Sequence, residues 1–136
     1  MKKKNRVILF IAISVLAILA IPAFIYATFF ITPAIEDYQN AEPFDSKKWK
    51  ESEVSDEWPS RLRMVDDLLK THTLVGKQRI EIEELLGKSD TTPYFKNYDL
   101  VYWLGPERGA IRIDSEWLVF KMGTNQACVE AKIVTD

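Results

Sequence analysis

Hydrophobic residues fill one long block near the start of this chain and recur at helical or alternating spacing after it. The block, residues 7–31, is 25 residues long and contains no charged side chain. A helix of that length would measure roughly 37 Å, which exceeds the roughly 30 Å hydrocarbon core of a bilayer. The pattern therefore predicts a transmembrane helix at residues 7–31.

A secretory signal peptide is the alternative interpretation of the same block. Basic residues crowd positions 2–6, and small residues at Ala27 and Ala34 offer cleavage points. The apolar region of a signal peptide usually has about 7 to 15 residues, so the length favours an uncleaved anchor over a secreted product. Because basic residues precede the block and acidic residues follow it, we expect a cytoplasmic N-terminus and an extracytoplasmic C-terminal part.

Composition divides the rest of the chain into short segments and one domain. Residues 1–6 form the cytoplasmic basic flank, and residues 32–43, polar with a proline near each end, are predicted to be a tether. Residues 44–136 are enough for one small extracytoplasmic domain. Within it, the charged residues 44–57, which include Trp49, are expected to lie irregularly across the surface.

Two helices are predicted at the start of this domain. Residues 58–70 carry apolar side chains at helical spacing, and Pro59 suits a first turn. Residues 78–86 form a second, shorter helix, which Gly87 would terminate in a left-handed conformation. Each helix has one apolar side that needs a partner surface.

The period changes to alternation after the second helix. Four short strands are predicted, at residues 98–104, 110–114, 117–122 and 128–134. Their connections are short, so neighbouring strands should be antiparallel. The predicted fold class is α+β: an N-terminal transmembrane helix, followed by two helices packed on one face of a four-stranded antiparallel meander.

The alternation also assigns the strand residues to two faces. The helix side receives Ile111, Ile113, Leu118, Phe120, Met122, Val129, Ala131 and Ile133. The open face receives Cys128, Glu130, Lys132 and six candidate partner-binding residues: Val101, Trp103, Arg112, Trp117, Val119 and Lys121. The first strand is apolar on both faces, so placing Val101 and Trp103 on the open face is a hypothesis. Tryptophans among mixed charges are typical of protein-binding surfaces. Alternatively, residues 44–57 cover one or both tryptophans.

Charge narrows the range of partners. Four of the 18 basic residues precede the apolar block, so the remainder carries 14 basic and 20 acidic residues, a formal charge of −6. That balance argues against nucleic acid and against electrostatic docking on anionic lipid. Cys128 is the only cysteine, so no intramolecular disulfide can form and the core must supply the stability.

The sequence gives little indication of catalysis or metal binding. His72 and Cys128 are each the only residue of their kind, so a Cys-His nucleophile pair is formally possible. Metal sites usually need three or four clustered ligands, which this composition does not favour. We therefore expect no enzyme activity, metal or cofactor, with an enzyme that depends on Cys128 or paired carboxylates as the minor alternative.

Residues 74–90 read LVGKQRIEIEELLGKSD and precede strands that contain Tyr102 and Trp103. A glycine, a helix and a Leu-Leu-Gly ending, followed by aromatic strands, resemble the SmpA/OmlA envelope-protein family over roughly residues 74–134. The family includes the small lipoprotein of the outer-membrane β-barrel assembly machine, and its fold is similar to that of β-lactamase inhibitor proteins. Gln78 replaces the usual Ser or Thr helix cap, and a membrane span replaces the lipid anchor.

This resemblance implies two helices on an antiparallel sheet and a non-enzymatic binding role. Combined with the apolar block, it predicts a single-pass membrane-anchored interaction module of a bacterial cell envelope, involved in envelope assembly or maintenance. The expected partner is another envelope protein, with no nucleic acid. A small inhibitor or immunity-like protein with the same fold is the alternative function.

Overall fold

A long helix begins the structure. A computed structural model of the chain describes residues 3–52 and 58–136. Helix α1 (Lys3–Tyr26), a π-helical turn (Ala27–Ile31) and helix α2 (Thr32–Asn40) form one continuous helix of 38 residues. Within the described residues it is the one helix long and apolar enough to cross a membrane, a property that a signal sequence shares. The predicted apolar helix is thus confirmed, and it extends further than expected.

The π-helical turn lies directly before Pro33. Proline has no amide hydrogen, and its ring clashes with the carbonyl four residues earlier in a regular helix. Here the amide of Thr32 donates to the carbonyl of Ala27, five residues earlier, and the wider turn lets the helix continue. The polar stretch 32–43, predicted as a tether, is therefore helical as far as Asn40.

Three further helices belong to the domain: α3 (Ser46–Lys50), α4 (Ser60–Thr71) and α5 (Arg79–Leu86). The last two confirm the predicted pair. Helix α5 ends at Gly87, whose positive φ of 84° suits glycine. Helix α3 corrects the expectation of irregular chain at residues 44–57, because the Asp45 carboxylate accepts from the Lys48 amide at 2.9 Å and caps it. The rest of that expectation, at residues 53–57, lies outside the described residues.

The sheet of the described chain has three strands, β1 (Leu100–Pro106), β2 (Ser115–Met122) and β3 (Cys128–Thr135). They pair antiparallel in the order β1-β2-β3, so the predicted meander is confirmed with one strand fewer. The predicted strand at residues 110–114 is wrong, since these residues belong to the loop from β1 to β2. Ile111 and Ile113, expected on the helix side, are 59% and 83% exposed.

The main core lies between one face of the sheet and helices α3, α4 and α5. Leu118 and Phe120 face it as predicted, and Met122, Ala131 and Ile133 pack at its margin. Trp49, expected on the surface, is completely buried in this core. The other fully buried core members include Met64, Val65, Leu68, Ile82, Leu86, Leu100, Tyr102 and Leu104.

A β-bulge at the start of β3 changes which side chains face the core. Lys121 pairs with Glu130 and Met122 pairs with Cys128, so Val129 is an extra residue in the ladder. Cys128 therefore packs in the main core and Val129 is exposed, the reverse of the prediction. After the bulge, Ala131 and Ile133 lie on the main-core side of the sheet, as predicted.

Candidate interaction surface and membrane junction

The second face of the sheet carries a smaller apolar cluster. Val101, Trp117 and Val119 form it, and Trp103 packs against it. These four predicted site residues therefore share one face, as the alternation indicated. Lys121, two residues beyond Val119 in β2, is exposed.

This second face is covered, contrary to the expectation of an open surface. Phe95, in the loop of residues 88–99, lies 5.9 Å from Trp117 between ring centroids. Val101, Trp117 and Val119 are consequently buried, with Trp117 only 9% exposed. The alternative cover by residues 44–57 falls partly on residues 53–57, which lie outside the described residues. Phe95 has a φ of 58°, which is strained for an aromatic residue and is held here by the surrounding contacts.

Hydrogen bonds fix the start of this loop along the outer edge of β1. The Asp90 amide donates to the Val101 carbonyl at 2.9 Å, and an Asp90 carboxylate oxygen accepts from the Trp103 amide at 2.7 Å. Arg61 of α4 donates to the same carboxylate oxygen at 2.7 Å. Charge-assisted bonds of this kind are stronger than neutral ones, so the loop is tied to both the sheet and α4.

Four partly exposed or exposed side chains surround the covered cluster, and we call them the aromatic-lysine rim: Tyr98, Trp103, Lys121 and Lys132. The Lys132 ammonium lies 5.5 Å from the centroid of the Tyr98 ring. Hydrogen bonds to Glu130 and Tyr98 raise the pKa of Lys132 to about 12, so this side chain is cationic at neutral pH. The rim thus presents two large rings and two lysines around the buried cluster of Val101, Trp117 and Val119.

The rim adjoins an open sheet edge. Strand β3 begins paired with the chain near α5, since the Cys128 amide donates to the Lys77 carbonyl at 2.8 Å. From residue 129 to residue 135, the described chain pairs with β3 on its β2 side alone. Unpaired edges of this kind can accept an extended segment from another protein.

Arg112, a predicted member of the second face, lies elsewhere. Its guanidinium contacts Glu36 of α2 at 3.2 Å and lies 4.4 Å from the centroid of the Trp58 ring. Because the loop of residues 107–114 is not a strand, the alternation that placed Arg112 on the sheet does not apply. Arg112 belongs instead to the junction between the long helix and the domain.

An ion-pair cluster lies at the same junction, with Glu116 buried and Asp66 exposed. The Arg108 guanidinium contacts Glu116 at 2.8 Å and Asp66 of α4 at 2.5 Å. Burial alone would lower the pKa of Arg108, but hydrogen bonds and charge from Glu116 and Asp66 outweigh it and raise that pKa. Asp37 of α2 lies close to this cluster, with one carboxylate oxygen that is buried without a hydrogen-bond partner in the described chain.

The chain after α2 runs along α4. The Glu42 amide donates to the Arg63 carbonyl at 2.9 Å, and the two side chains form a 2.8 Å ion pair. Further along, the Phe44 amide donates to Asp67 at 2.8 Å. The long helix is therefore joined to the domain by contacts on both α4 and the 107–114 loop.

The two residues considered for nucleophilic chemistry have other neighbours. Cys128 is in the core, where burial raises the pKa of its thiol. His72 packs against Phe44, with 4.9 Å between ring centroids, and its Nδ1 contacts the Thr71 hydroxyl at 2.9 Å. In residues 3–52 and 58–136, no group of three or more His, Cys, Asp or Glu could hold a metal ion.

Two parts of this site were missed by sequence reasoning. Tyr94, Phe95 and Tyr98 are aromatic residues in an otherwise polar stretch, and that contrast was the available signal that the loop packs on something. Glu116, an acid beside the apolar run of β2, was the signal for a buried cation such as Arg108.

No family model, curated protein or solved structure matches this chain, so the SmpA/OmlA resemblance stays a prediction.

Proposed function

We propose that this protein is a single-pass membrane-anchored interaction module whose domain lies outside the cytoplasm and binds another envelope protein. The exposed apolar helix supports the anchor, because its side chains have no protein cover in the described chain. The basic residues before the span and the acidic residues after it support a cytoplasmic N-terminus. The length of the span supports retention over cleavage.

The observation that carries the binding role is the aromatic-lysine rim. Binding energy usually concentrates in a few large aromatic side chains that are held rigidly, while surrounding charges guide association. Trp103 is anchored through its amide to Asp90, and Tyr98 lies under Lys132. Of the six residues predicted from sequence, Trp103 and Lys121 remain available for contact, and Val101, Trp117 and Val119 support them from below.

The resemblance to the SmpA/OmlA family supports a place in envelope assembly or maintenance. It is carried by residues 74–90 and by Tyr102 and Trp103. Tyr102 itself is in the main core, where its hydroxyl donates to the Gly87 carbonyl at 2.9 Å and links β1 to the end of α5. This residue of the shared pattern therefore serves the fold, while Trp103 serves the proposed surface.

Site-specific photo-crosslinking in the native host tests this proposal. A benzophenone amino acid replaces Trp103 in one variant and Lys132 in a second, and Ile80 serves as the matched control. Ile80 is 62% exposed and apolar, and it lies on α5, whose buried residues pack in the main core on the other face of the sheet. We expect the same light-dependent adduct from positions 103 and 132 and none from position 80. Adducts at position 80 alone, or at no position, would refute the rim as the binding surface.

A further inference from the structure

The loop of residues 107–114 brings an exposed apolar pair to the membrane end of the domain. Gly109 and Ala110 line a groove against the long helix, opposite Thr28, Thr32 and Pro33. Ile111 and Ile113 follow directly and are among the most exposed large apolar side chains of the domain. Exposed apolar residues that cluster, unlike single ones, mark protein or membrane interaction sites.

The length of the apolar block indicates where this loop lies relative to the bilayer. The apolar block of 25 residues is roughly 37 Å long, so about 7 Å of it exceeds a hydrocarbon core of roughly 30 Å. If the apolar block begins at the cytoplasmic boundary of the hydrocarbon core, Thr28 and the residues up to Ile31 lie at its outer boundary. The loop that lines a groove with Thr28 and Thr32 lies at the same level.

The two arginines of the loop are turned toward protein, while Asp114, at the end of the loop, is exposed. Arg112, between the two isoleucines, contacts Glu36 and the Trp58 ring, and Arg108 contacts Glu116 and Asp66. Ile111 and Ile113 face outward on either side of Arg112, next to the exposed Ala110 and Asp114. The arginine contacts also fix the loop against α2 and α4, so its position relative to the helix is defined.

From this geometry we infer that the 107–114 loop inserts Ile111 and Ile113 into the outer leaflet beside the exit point of the helix. The occupant of this surface is lipid, because the loop lines a groove against the end of the apolar helix, where Phe29, Phe30 and Ile31 are exposed too. The attraction is apolar, since the part of the chain outside the membrane carries a formal charge of −6. The domain would thereby be held at two points on the bilayer. This inference rests on the anchor of the proposed function.

Depth-dependent fluorescence quenching tests the inference with the full-length chain. Single substitutions Ile113→Cys, Ile111→Cys, Phe24→Cys and Ile80→Cys are labelled with an environment-sensitive fluorophore in detergent and reconstituted into phosphatidylcholine vesicles. Cys128 is buried, so the native chain provides the blank. Quenchers are nitroxide lipids with the spin label at shallow or deep acyl positions, and circular dichroism confirms that each labelled chain is folded.

We expect the label at positions 111 and 113 to be quenched by shallow nitroxide lipid, at the boundary between headgroups and acyl chains, where the apolar side of a surface-bound segment is buried by about 5 to 10 Å. The label at position 24 should respond to deep nitroxide, and the label at position 80 to neither. Quenching at position 24 without quenching at positions 111 and 113 would overturn the loop insertion alone. A blue shift at position 113 without lipid quenching would mean that protein covers the loop, which also overturns it. Lack of quenching at position 24 would refute the anchor instead.

Discussion

Replacing Trp117 with alanine should destabilise the domain strongly. Trp117 is 9% exposed, packs against Phe95 and donates from Nε1 to Asp136 at 3.3 Å. Truncating a buried tryptophan usually costs about 3 to 5 kcal/mol. Because the cluster lies beneath a single loop that can partly collapse, we expect the lower end, about 3 kcal/mol. For a domain of about 100 residues this lowers the melting temperature by about 12 to 24 °C.

Trp103→Ala is the matched control, since Trp103 pairs directly with Trp117 across the sheet but is only partly buried. Trp103→Ala should lower the free energy of unfolding by about 1 kcal/mol, the typical value for a single substitution. The assay is thermal unfolding of the full chain in detergent, followed by tryptophan fluorescence. All four tryptophans lie after the apolar block, so the signal reports the domain. A Trp117→Ala variant that melts within a few degrees of the parent, or above Trp103→Ala, would refute the burial argument.

Two further predictions concern the ion-pair cluster and the core thiol. Arg108→Met should destabilise the domain by about 3 to 5 kcal/mol, because it leaves Glu116 buried without its cation. A double-mutant cycle with Glu116→Gln measures the coupling energy between the two side chains. Additive changes in the free energy of unfolding would contradict the pairing. Cys128 should react slowly with thiol reagents at neutral pH in the native chain and quickly in denaturant, because burial raises the pKa of its thiol. Equal rates in both conditions would place Cys128 outside the core.

The hydrophobic pattern along the sequence was sufficient to predict most of the helices and strands. The apolar block follows from its uninterrupted hydrophobicity, and helices α4 and α5 and the three strands follow from the period of their apolar residues. The division of β2 between two faces also followed from alternation, whereas β1 is apolar on both faces and the face of Val101 and Trp103 was a hypothesis. Val101, Trp103, Trp117 and Val119 share a face as predicted.

The wrong predictions involve contacts between residues that are distant in the sequence. Residues 110–114 alternate like a strand, yet Arg112 pairs with Glu36, which lies 76 residues earlier. Trp49 occupies the core although its neighbours are charged, because Asp45 caps a short helix that turns the ring inward. The cover over Trp117 depends on Phe95 at a positive φ, a conformation that no local pattern favours.

Labelling with a membrane-impermeant maleimide tests the central claim most directly. Full-length chains with Ile80→Cys or Lys4→Cys are expressed in the native host, and intact cells freed of any outer layer are compared with permeabilised cells. The native chain, with Cys128 buried, is the blank. The account predicts that the Ile80→Cys chain is labelled at full length in intact cells and that the Lys4→Cys chain is labelled only after permeabilisation. Labelling of Lys4→Cys but not Ile80→Cys in intact cells, or labelling of Ile80→Cys only on a shortened chain, would contradict the anchored, domain-outside topology.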